Sequence, residues 1–143
     1  MTTQSSIRDL WRPPVAEGPG KRILVVDDAS LVRLYYRDAL ERAGYRVDEA
    51  LNGLEALEKL LAEPVDLVIV DVNMPQMDGL TFLRILRRQN LEVSSIPALV
   101  TSTESGPQDL AAARLAGANA YLPKPVAQDV LTTYAAMLCG DPA

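Results

Sequence analysis

The chain has 143 residues, a net charge of −5 and 48% apolar residues, a size and composition typical of a single globular domain. It contains no histidine and one cysteine, Cys139. These counts exclude a histidine-dependent catalytic triad, a histidine-based zinc site and an internal disulfide framework. The negative charge argues against a dedicated nucleic-acid binder, because contacts with phosphate need clustered lysine and arginine residues.

The cellular location is predicted from what the sequence lacks. No segment approaches the roughly 18 uninterrupted apolar residues that a membrane span requires, so no membrane insertion is expected. Residues 1–11 have no apolar core of the kind found in secretory signals. A single cysteine also suits a reducing compartment, and the sequence therefore predicts a cytoplasmic protein.

The first part of the chain is predicted to be an extension that precedes the domain. Residues 1–21 contain two proline- and glycine-rich interruptions, which cannot continue regular structure. Residues 6–11 could form one helical turn that carries Trp11, the only tryptophan. This side chain either packs locally or contributes to a partner or dimer contact. The domain is predicted over residues 22–139, with a short tail at residues 140–143.

From residue 22 onwards, short apolar runs alternate with segments whose apolar residues recur at helical spacing. Gly44 and Gly117 follow predicted helices, and Pro64 ends another. Five βα units with short connections predict an α/β fold, in which right-handed crossovers wind a parallel sheet with helices on both faces. The predicted strands are residues 23–26, 45–50, 65–71, 98–100 and 118–122, and the predicted helices are residues 30–43, 54–61, 79–89, 107–116 and 126–138.

All predicted strands except the second end in residues that carry oxygen or ammonium groups. The first ends in Asp27-Asp28 and the third in Asp71. The fourth ends in Thr101-Ser102, and Lys124 lies just beyond the fifth. Ligands of an open α/β sheet bind just beyond the carboxyl ends of its strands. We therefore expect these side chains to converge on one edge of the sheet.

The three aspartates predict a site for a divalent cation. Carboxylates packed close together repel one another unless they share protons or bind a cation. Mg2+ prefers carboxylate, carbonyl and water oxygens. A carboxylate, Mg2+, a lysine and a hydroxyl are together the groups that phosphoryl transfer requires. The expected product is an acyl phosphate on Asp71, which adds about −1.5 to −2 charge. No glycine-rich nucleotide loop is present, so phosphate is not expected to arrive on a bound nucleotide.

Four of these segments, in the same order, resemble the receiver domain of bacterial two-component response regulators, in the style of the stand-alone chemotaxis regulators. The segments are residues 23–28, 70–79, 100–102 and 116–125. The resemblance covers residues 22 to about 138. It implies a flavodoxin-like, doubly wound (βα)5 fold whose parallel strands have the order 2-1-3-4-5.

The resemblance implies a role for each polar residue at the strand ends. Asp71 resembles the phosphoacceptor, and Lys124 resembles the lysine that pairs first with the acceptor and then with its phosphoryl group. Thr101 resembles the switch hydroxyl that moves to bind phosphate, and Ser102 is its small neighbour. Tyr121 resembles the aromatic switch whose ring turns inward as that hydroxyl moves.

The resemblance also implies how Mg2+ is held. Asp28 and Asp71 resemble ligands through their side chains, and Asn73 resembles a ligand through its backbone carbonyl. Asp27 is expected to act mainly through a bound water. In addition, Lys124-Pro125 resembles the cis peptide bond of the family, which a proline makes accessible.

The expected partners follow from the same resemblance. A sensor histidine kinase or a histidine phosphotransfer protein would donate the phosphoryl group. The output would be binding to another protein through the fourth helix, fifth strand and fifth helix, roughly residues 108–138. No nucleic-acid partner is expected. The only catalysis expected is that of the chain's own phosphorylation and dephosphorylation.

Several of these residues also have simpler interpretations. Asp27 or Asp28 could cap the first helix. Thr101 could be an ordinary β-branched strand residue, and Tyr121 a half-buried tyrosine without a switching role. Asp78 is predicted to be the N-cap of the third helix rather than a metal ligand.

Two other functions fit part of the pattern. A haloacid-dehalogenase-like phosphatase also uses a strand-end aspartate and Mg2+. Those enzymes place a second aspartate two residues after the nucleophile, however, and this chain has Asn73 there. A degenerate receiver domain would serve only as a scaffold, although the acid, hydroxyl and lysine positions are all filled here.

Overall fold

The structure is a computed structural model that describes residues 20–141. Most of the predicted N-terminal extension, including Trp11 and the predicted helical turn, lies outside the described residues, as do residues 142–143. The proposed domain limits therefore stay predictions. Among the helices of residues 20–141, none combines the length and the apolar composition that crossing a membrane would need.

A parallel sheet lies at the centre of the fold. Its five strands are β1 (Arg22–Val26), β2 (Arg46–Ala50), β3 (Leu67–Asp71), β4 (Ala98–Ser102) and β5 (Ala120–Pro123). They pair in the order β2-β1-β3-β4-β5, which confirms the predicted fold and strand order. β3 and β4 are buried at every position because helices cover both faces, whereas the edge strand β2 alternates buried and more exposed residues.

The strands are connected by helices α1 (Ser30–Arg42), α2 (Gly53–Ala62), α3 (Gly79–Leu86), α4 (Leu91–Ser94), α5 (Pro107–Ala116) and α6 (Gln128–Cys139). The single turn α4 lies in a segment for which no element was predicted. The predicted fourth and fifth helices therefore correspond to α5 and α6. The third helix ends three residues earlier than predicted, because the N–H groups of Arg88 and Gln89 bond to carbonyls three residues back and tighten the chain into a turn.

Side-chain caps begin three of the helices. Asp78 accepts a hydrogen bond from the Thr81 N–H at 2.8 Å, which confirms that Asp78 is the N-cap of α3. Asn90 caps α4 in the same way. Asn52 is the N-cap of α2, whose first residue is Gly53, one residue before the predicted start of this helix.

Two strands begin later than predicted because a glycine closes the preceding helix. Gly44 and Gly117 have φ values of 99° and 112°, which place them in the left-handed region. After them, the N–H of Tyr45 bonds back to Leu40 O, and the N–H of Ala118 bonds back to Ala113 O. The residues just after each glycine are therefore engaged with the helix and join the sheet only afterwards.

The side chains of each strand alternate between two cores, one on each side of the sheet. On β3, Leu67 and Ile69 point to the side covered by α1 and α6, here called the α1/α6 face. Val68 and Val70 point to the other side, the α2/α3/α5 face. The next position in this alternation is Asp71. Its side chain therefore belongs to the α1/α6 face.

One arginine connects the end of α3 to α4 and to the segments just before β4 and just after α5. The Arg87 guanidinium donates hydrogen bonds to the Asn119 side chain at 3.0 Å and to three main-chain carbonyl oxygens. These carbonyls belong to Ser94, Ile96 and Gly117, at distances of 2.6 to 3.0 Å. A Cβ on Gly117 would come within 2.7 Å of the Arg87 side chain, so glycine is needed there for space as well as for its φ.

We expect Arg87→Ala to lower the free energy of unfolding by about 2–4 kcal/mol, because several carbonyls lose a charged donor at once. Chemical denaturation measures this loss. The matched control is Arg88→Ala, since Arg88 is exposed and should change stability by no more than about 0.5 kcal/mol. Equal effects of the two substitutions would contradict the structural role given to Arg87.

Candidate functional site

The alternation of side chains brings four polar residues to one end of the α1/α6 face. Asp27 and Asp71 follow the residues of β1 and β3 that point to this face. The Lys124 ammonium lies between them, with Nζ 2.8 Å from Asp27 Oδ2 and 3.2 Å from Asp71 Oδ1. Thr101 pairs in register with Asp71 across the two neighbouring strands. The convergence expected from the strand ends is therefore present.

A cluster of three carboxylates forms the acidic part of the site. One carboxylate oxygen from each of Asp27, Asp28 and Asp71 lies within 4.8 Å of the others. Asp27 and Asp71 are buried, whereas Asp28 is exposed and faces solvent. Three oxygen ligands converging at this spacing, with one side open, fit a hard divalent cation that retains water ligands. The donor chemistry of the cluster thus suits Mg2+.

Burial and the neighbouring negative charges disfavour ionisation of Asp71. Burial raises the pKa of the Asp71 carboxyl, and the neighbouring Asp27 charge raises it further. The charge and hydrogen bond of Lys124 oppose this shift without cancelling it. Burial alone would lower the pKa of Lys124, but its bonds to the two aspartates raise it overall. Lys124 is therefore held as a cation.

Asp27 is fixed by its surroundings on both sides of its carboxylate. Oδ1 accepts a hydrogen bond from the Ala29 N–H at 2.9 Å, and Oδ2 accepts the bond from Lys124. The N-cap of α1 is Ala29, and no side chain caps this helix. Neither Asp27 nor Asp28 is therefore the N-cap of α1.

Arg33 of α1 holds the chain that carries the two aspartates. Its Nη1 donates to the main-chain carbonyl of Asp27 at 2.7 Å, and its Nε donates to Glu49 Oε1 at 2.7 Å. Glu49 also accepts a hydrogen bond from Arg37, one helical turn further along α1. The contacts of Arg33 were not predicted from the sequence, because the helical pattern indicates only a charged residue on the solvent-exposed face of a helix.

The hydroxyl residues at the end of β4 are both buried. Thr101 Oγ1 has no hydrogen-bond partner in the described part of the chain. Ser102 Oγ accepts a hydrogen bond from the Glu104 N–H at 3.0 Å. Asn73 is exposed, two residues beyond Asp71 on the loop that follows β3. A buried hydroxyl without a partner is costly, and it points to a ligand oxygen as its missing partner.

Tyr121 lies on the other side of the sheet from Asp71 and Thr101. It packs half-buried against the core of the α2/α3/α5 face, and its hydroxyl donates to the carbonyl oxygen of Glu104. The peptide bond between Lys124 and Pro125 is cis, as predicted. The structure thus brings Asp27, Asp28, Asp71, Thr101 and Lys124 together and leaves Tyr121 outside the cluster. The functional roles assigned to these residues stay predictions.

A second residue that was missed is Tyr36 of α1. From the sequence, its helical spacing predicts only a core residue. It lines an apolar groove of about 500 Å3, which is also lined by Lys124, Pro125 and Val126. Nothing in its sequence position distinguishes Tyr36 from the other apolar residues of the helix, so only the fold reveals that it adjoins the acidic cluster.

The sequence model of the response regulator receiver domain matches residues 23–136. This chain belongs to that family.

Several relatives share this receiver domain. The chain is 36% identical over 111 residues to the CAI-1 autoinducer sensor kinase/phosphatase CqsS of Vibrio cholerae, covering 78% of this chain and 16% of CqsS. It is 40% identical over 116 residues to the sensor protein EvgS of Escherichia coli, covering 81% of this chain and 9% of EvgS. The chain thus spans only a small part of the length of these curated relatives.

Solved receiver domains agree with the fold. The chemotaxis response regulator CheY4 of Vibrio cholerae is 33% identical, with a TM-score of 0.79 over 83% of this chain and 98% of CheY4. The receiver domain of a signal transduction histidine kinase from Syntrophus aciditrophicus is 31% identical, with a TM-score of 0.79 over 85% of this chain and 91% of the other. The resemblance stated from the strand-end segments is confirmed.

We expect Asp71→Asn to increase the free energy of unfolding near pH 7 when divalent cations are removed by a chelator. The folded receiver domain keeps the Asp71 proton to higher pH than the unfolded chain, so ionisation of this group destabilises the fold. The gain should grow as the pH rises above about 4, the ordinary pKa of aspartate, and vanish below it.

Urea denaturation across this pH range measures the gain. The matched control is Asp78→Asn, because asparagine caps a helix about as well as aspartate and Asp78 lies outside the acidic cluster. A variant Asp71→Asn that is less stable than the wild type near pH 7 would contradict the electrostatic description of the site.

Proposed function

We propose that this receiver domain is a Mg2+-dependent phosphoacceptor switch, phosphorylated on Asp71 by a histidine kinase or a histidine phosphotransfer protein. The observation that supports this most directly is the position of Lys124, whose ammonium contacts both Asp27 and Asp71 at the open end of the sheet. A cation there can bind the acceptor before transfer and the phosphoryl oxygens afterwards. A cytoplasmic location also stays a prediction.

The acidic cluster is the part of this site that would hold Mg2+. Asp28 and Asp71 would bind it through their carboxylates, Asn73 through its main-chain carbonyl, and Asp27 through a water molecule. When bound, the metal would neutralise charge on the phosphoryl oxygens. The close approach of three carboxylates supports this assignment, because a dication removes the repulsion among them.

The chain's own residues would carry out the transfer as follows. A carboxylate oxygen of Asp71 attacks the phosphorus of a phosphohistidine, and the phosphorus–nitrogen bond of the donor breaks. The donor imidazole keeps the electron pair of that bond, and the product is an acyl phosphate on Asp71. Lys124 stays protonated and pairs with the phosphoryl group. The Thr101 hydroxyl, which lacks a partner, donates to a phosphoryl oxygen.

The output would be protein binding through α5, β5 and α6. This surface carries exposed apolar side chains, including Leu110 on α5 and Val130 and Met137 on α6. The half-buried Tyr121 lies between these helices on β5. Movement of Thr101 towards the added phosphate charge would shift β4 and β5, and so change the shape of this surface.

The two alternative functions gain no support from the contacts within residues 20–141. A phosphatase of the haloacid-dehalogenase type needs an acid–base carboxylate two residues after the nucleophile, and Asn73 carries an amide instead. A degenerate scaffold would not need Lys124 placed between two carboxylates. We therefore propose that the domain catalyses only its own phosphorylation and dephosphorylation.

We expect acetyl phosphate with Mg2+ to add one phosphoryl group to the wild type, as measured by intact-protein mass spectrometry. Asp71→Asn should abolish the addition, because an amide cannot attack as a carboxylate does. Asp78→Asn, a control on the same loop, should be phosphorylated like the wild type. Phosphate on Asp71→Asn, or steady turnover of a phosphate ester by the wild type, would refute the proposal.

We expect beryllofluoride, a phosphoryl mimic, to change amide hydrogen exchange in α5, β5 and α6 when Mg2+ is present. The mimic should draw Thr101 inward and alter the packing of the neighbouring β5. Exchange in α2, which packs against β1, β2 and α3, should stay the same and serves as the internal control. Equal changes in α2 and α5 would argue against a localised output surface.

A further inference from the structure

A tyrosine of α1 that lines the groove lies on the same face of the sheet as the proposed switch hydroxyl. Tyr36 is 3% exposed and packs in the core of the α1/α6 face. The alternation along β4 directs Thr101 to this same face, since Leu99, two residues earlier, belongs to the same core. Tyr36 and Lys124 also line one groove. We therefore place the phenol of Tyr36 at the end of this core where Thr101 and Lys124 lie.

The hydroxyl of Tyr36 lies among the charged groups of the site. Burial raises the pKa of Tyr36, whereas the Lys124 charge lowers it and the charge of Asp27 raises it. The Thr101 hydroxyl also lowers the pKa of Tyr36, which is consistent with its place at the same end of the core. Even so, Thr101 Oγ1 has no hydrogen bond of regular geometry. No hydrogen bond joins the two hydroxyls in the described part of the chain, and the raised pKa means that the phenol keeps its proton.

We propose that Tyr36 is a positioning residue for Thr101, donating its O–H to Thr101 Oγ1 when Thr101 donates its own proton to a phosphoryl oxygen on Asp71. This inference rests on the proposed phosphoacceptor function. A hydroxyl has one donor and two acceptor sites. Once the Thr101 proton points to the phosphoryl group, its acceptor sites need a buried donor, and Lys124 is already engaged by Asp27 and Asp71.

The resulting chain of hydrogen bonds would strengthen the contact with the phosphoryl group. Each donor in such a chain polarises the next, so the Thr101 proton becomes a better donor when Thr101 itself accepts a bond. The aromatic ring of Tyr36 fills the core whether or not this bond forms. The contribution of the hydroxyl is therefore separable from the packing of the ring, because phenylalanine keeps the ring alone.

The test is the affinity of the full chain for beryllofluoride at saturating Mg2+, measured by calorimetric titration. Tyr36→Phe should weaken binding by about three- to ten-fold, the effect of one hydrogen bond. Tyr35→Phe is the matched control, because Tyr35 lines the same groove but is 45% exposed, and its variant should bind like the wild type. Thermal unfolding checks that both variants are folded.

A double-mutant cycle distinguishes positioning from packing. In a Thr101→Ala background, Tyr36→Phe should cause almost no further loss, because the hydroxyl that it serves is gone. An equal loss in both backgrounds, or no loss in the wild-type background, would overturn the inference. Failure of the wild type to bind beryllofluoride would instead refute the phosphoacceptor function, and this inference with it.

Discussion

Two buried carboxylates that share one lysine are the interaction on which the rest of the site depends. Asp27 and Asp71 are held at adjacent strand ends, where their charges would be unfavourable without a nearby cation. Lys124 supplies that cation from the far side of β4, at the end of the edge strand β5. The contact therefore links β1, β3 and β5 across the top of the sheet. The strand order is what allows residues so distant in sequence to meet.

The helix α1 adds a second layer of support to this arrangement. Arg33 connects the main chain of Asp27 to Glu49 on β2. The loop that carries Asp27 and Asp28 is therefore bound to the edge strand β2, at the other edge of the sheet from β5. Tyr36 lies one turn further along and fills the core beneath the cluster. One helix thus fixes the loop that carries the aspartates and also shapes the interior beneath them. Both contacts are made by the chain itself and need no ligand.

Much of the fold was predictable because its signals are local. The strand β3 is a short apolar run that ends at Asp71, and the helix cap at Asp78 follows a few residues later, so residues close in sequence define this part of the fold. The short helix α4 was missed because its four residues form a single turn, held by the Asn90 cap and by the hydrogen bond from Arg87 to the Ser94 carbonyl. Such contacts leave no periodic signal in a sequence.

The candidate site was predictable to a similar extent and for a similar reason. Polar residues at the ends of apolar strands stand out, so Asp71 and Lys124 were found. Residues on helices do not stand out, because Arg33 and Tyr36 satisfy the helical pattern whether or not they approach the site. Tyr121 follows a strand pattern as well, but the sequence alone did not reveal that it and Thr101 occupy opposite sides of the sheet.

That last placement has a consequence for how a change at Thr101 could be transmitted. Thr101 pairs with Leu122 and Tyr121 pairs with Val100, so the side chains of Thr101 and Tyr121 project from opposite faces of neighbouring strands. A mechanical link between them can run through the backbone of β4 and β5, or through the hydrogen bond from the Tyr121 hydroxyl to the main-chain carbonyl of Glu104, three residues after Thr101. Both routes end on main-chain atoms of the segment that carries Thr101, so a change at Thr101 can reach Tyr121 without a contact between the two side chains.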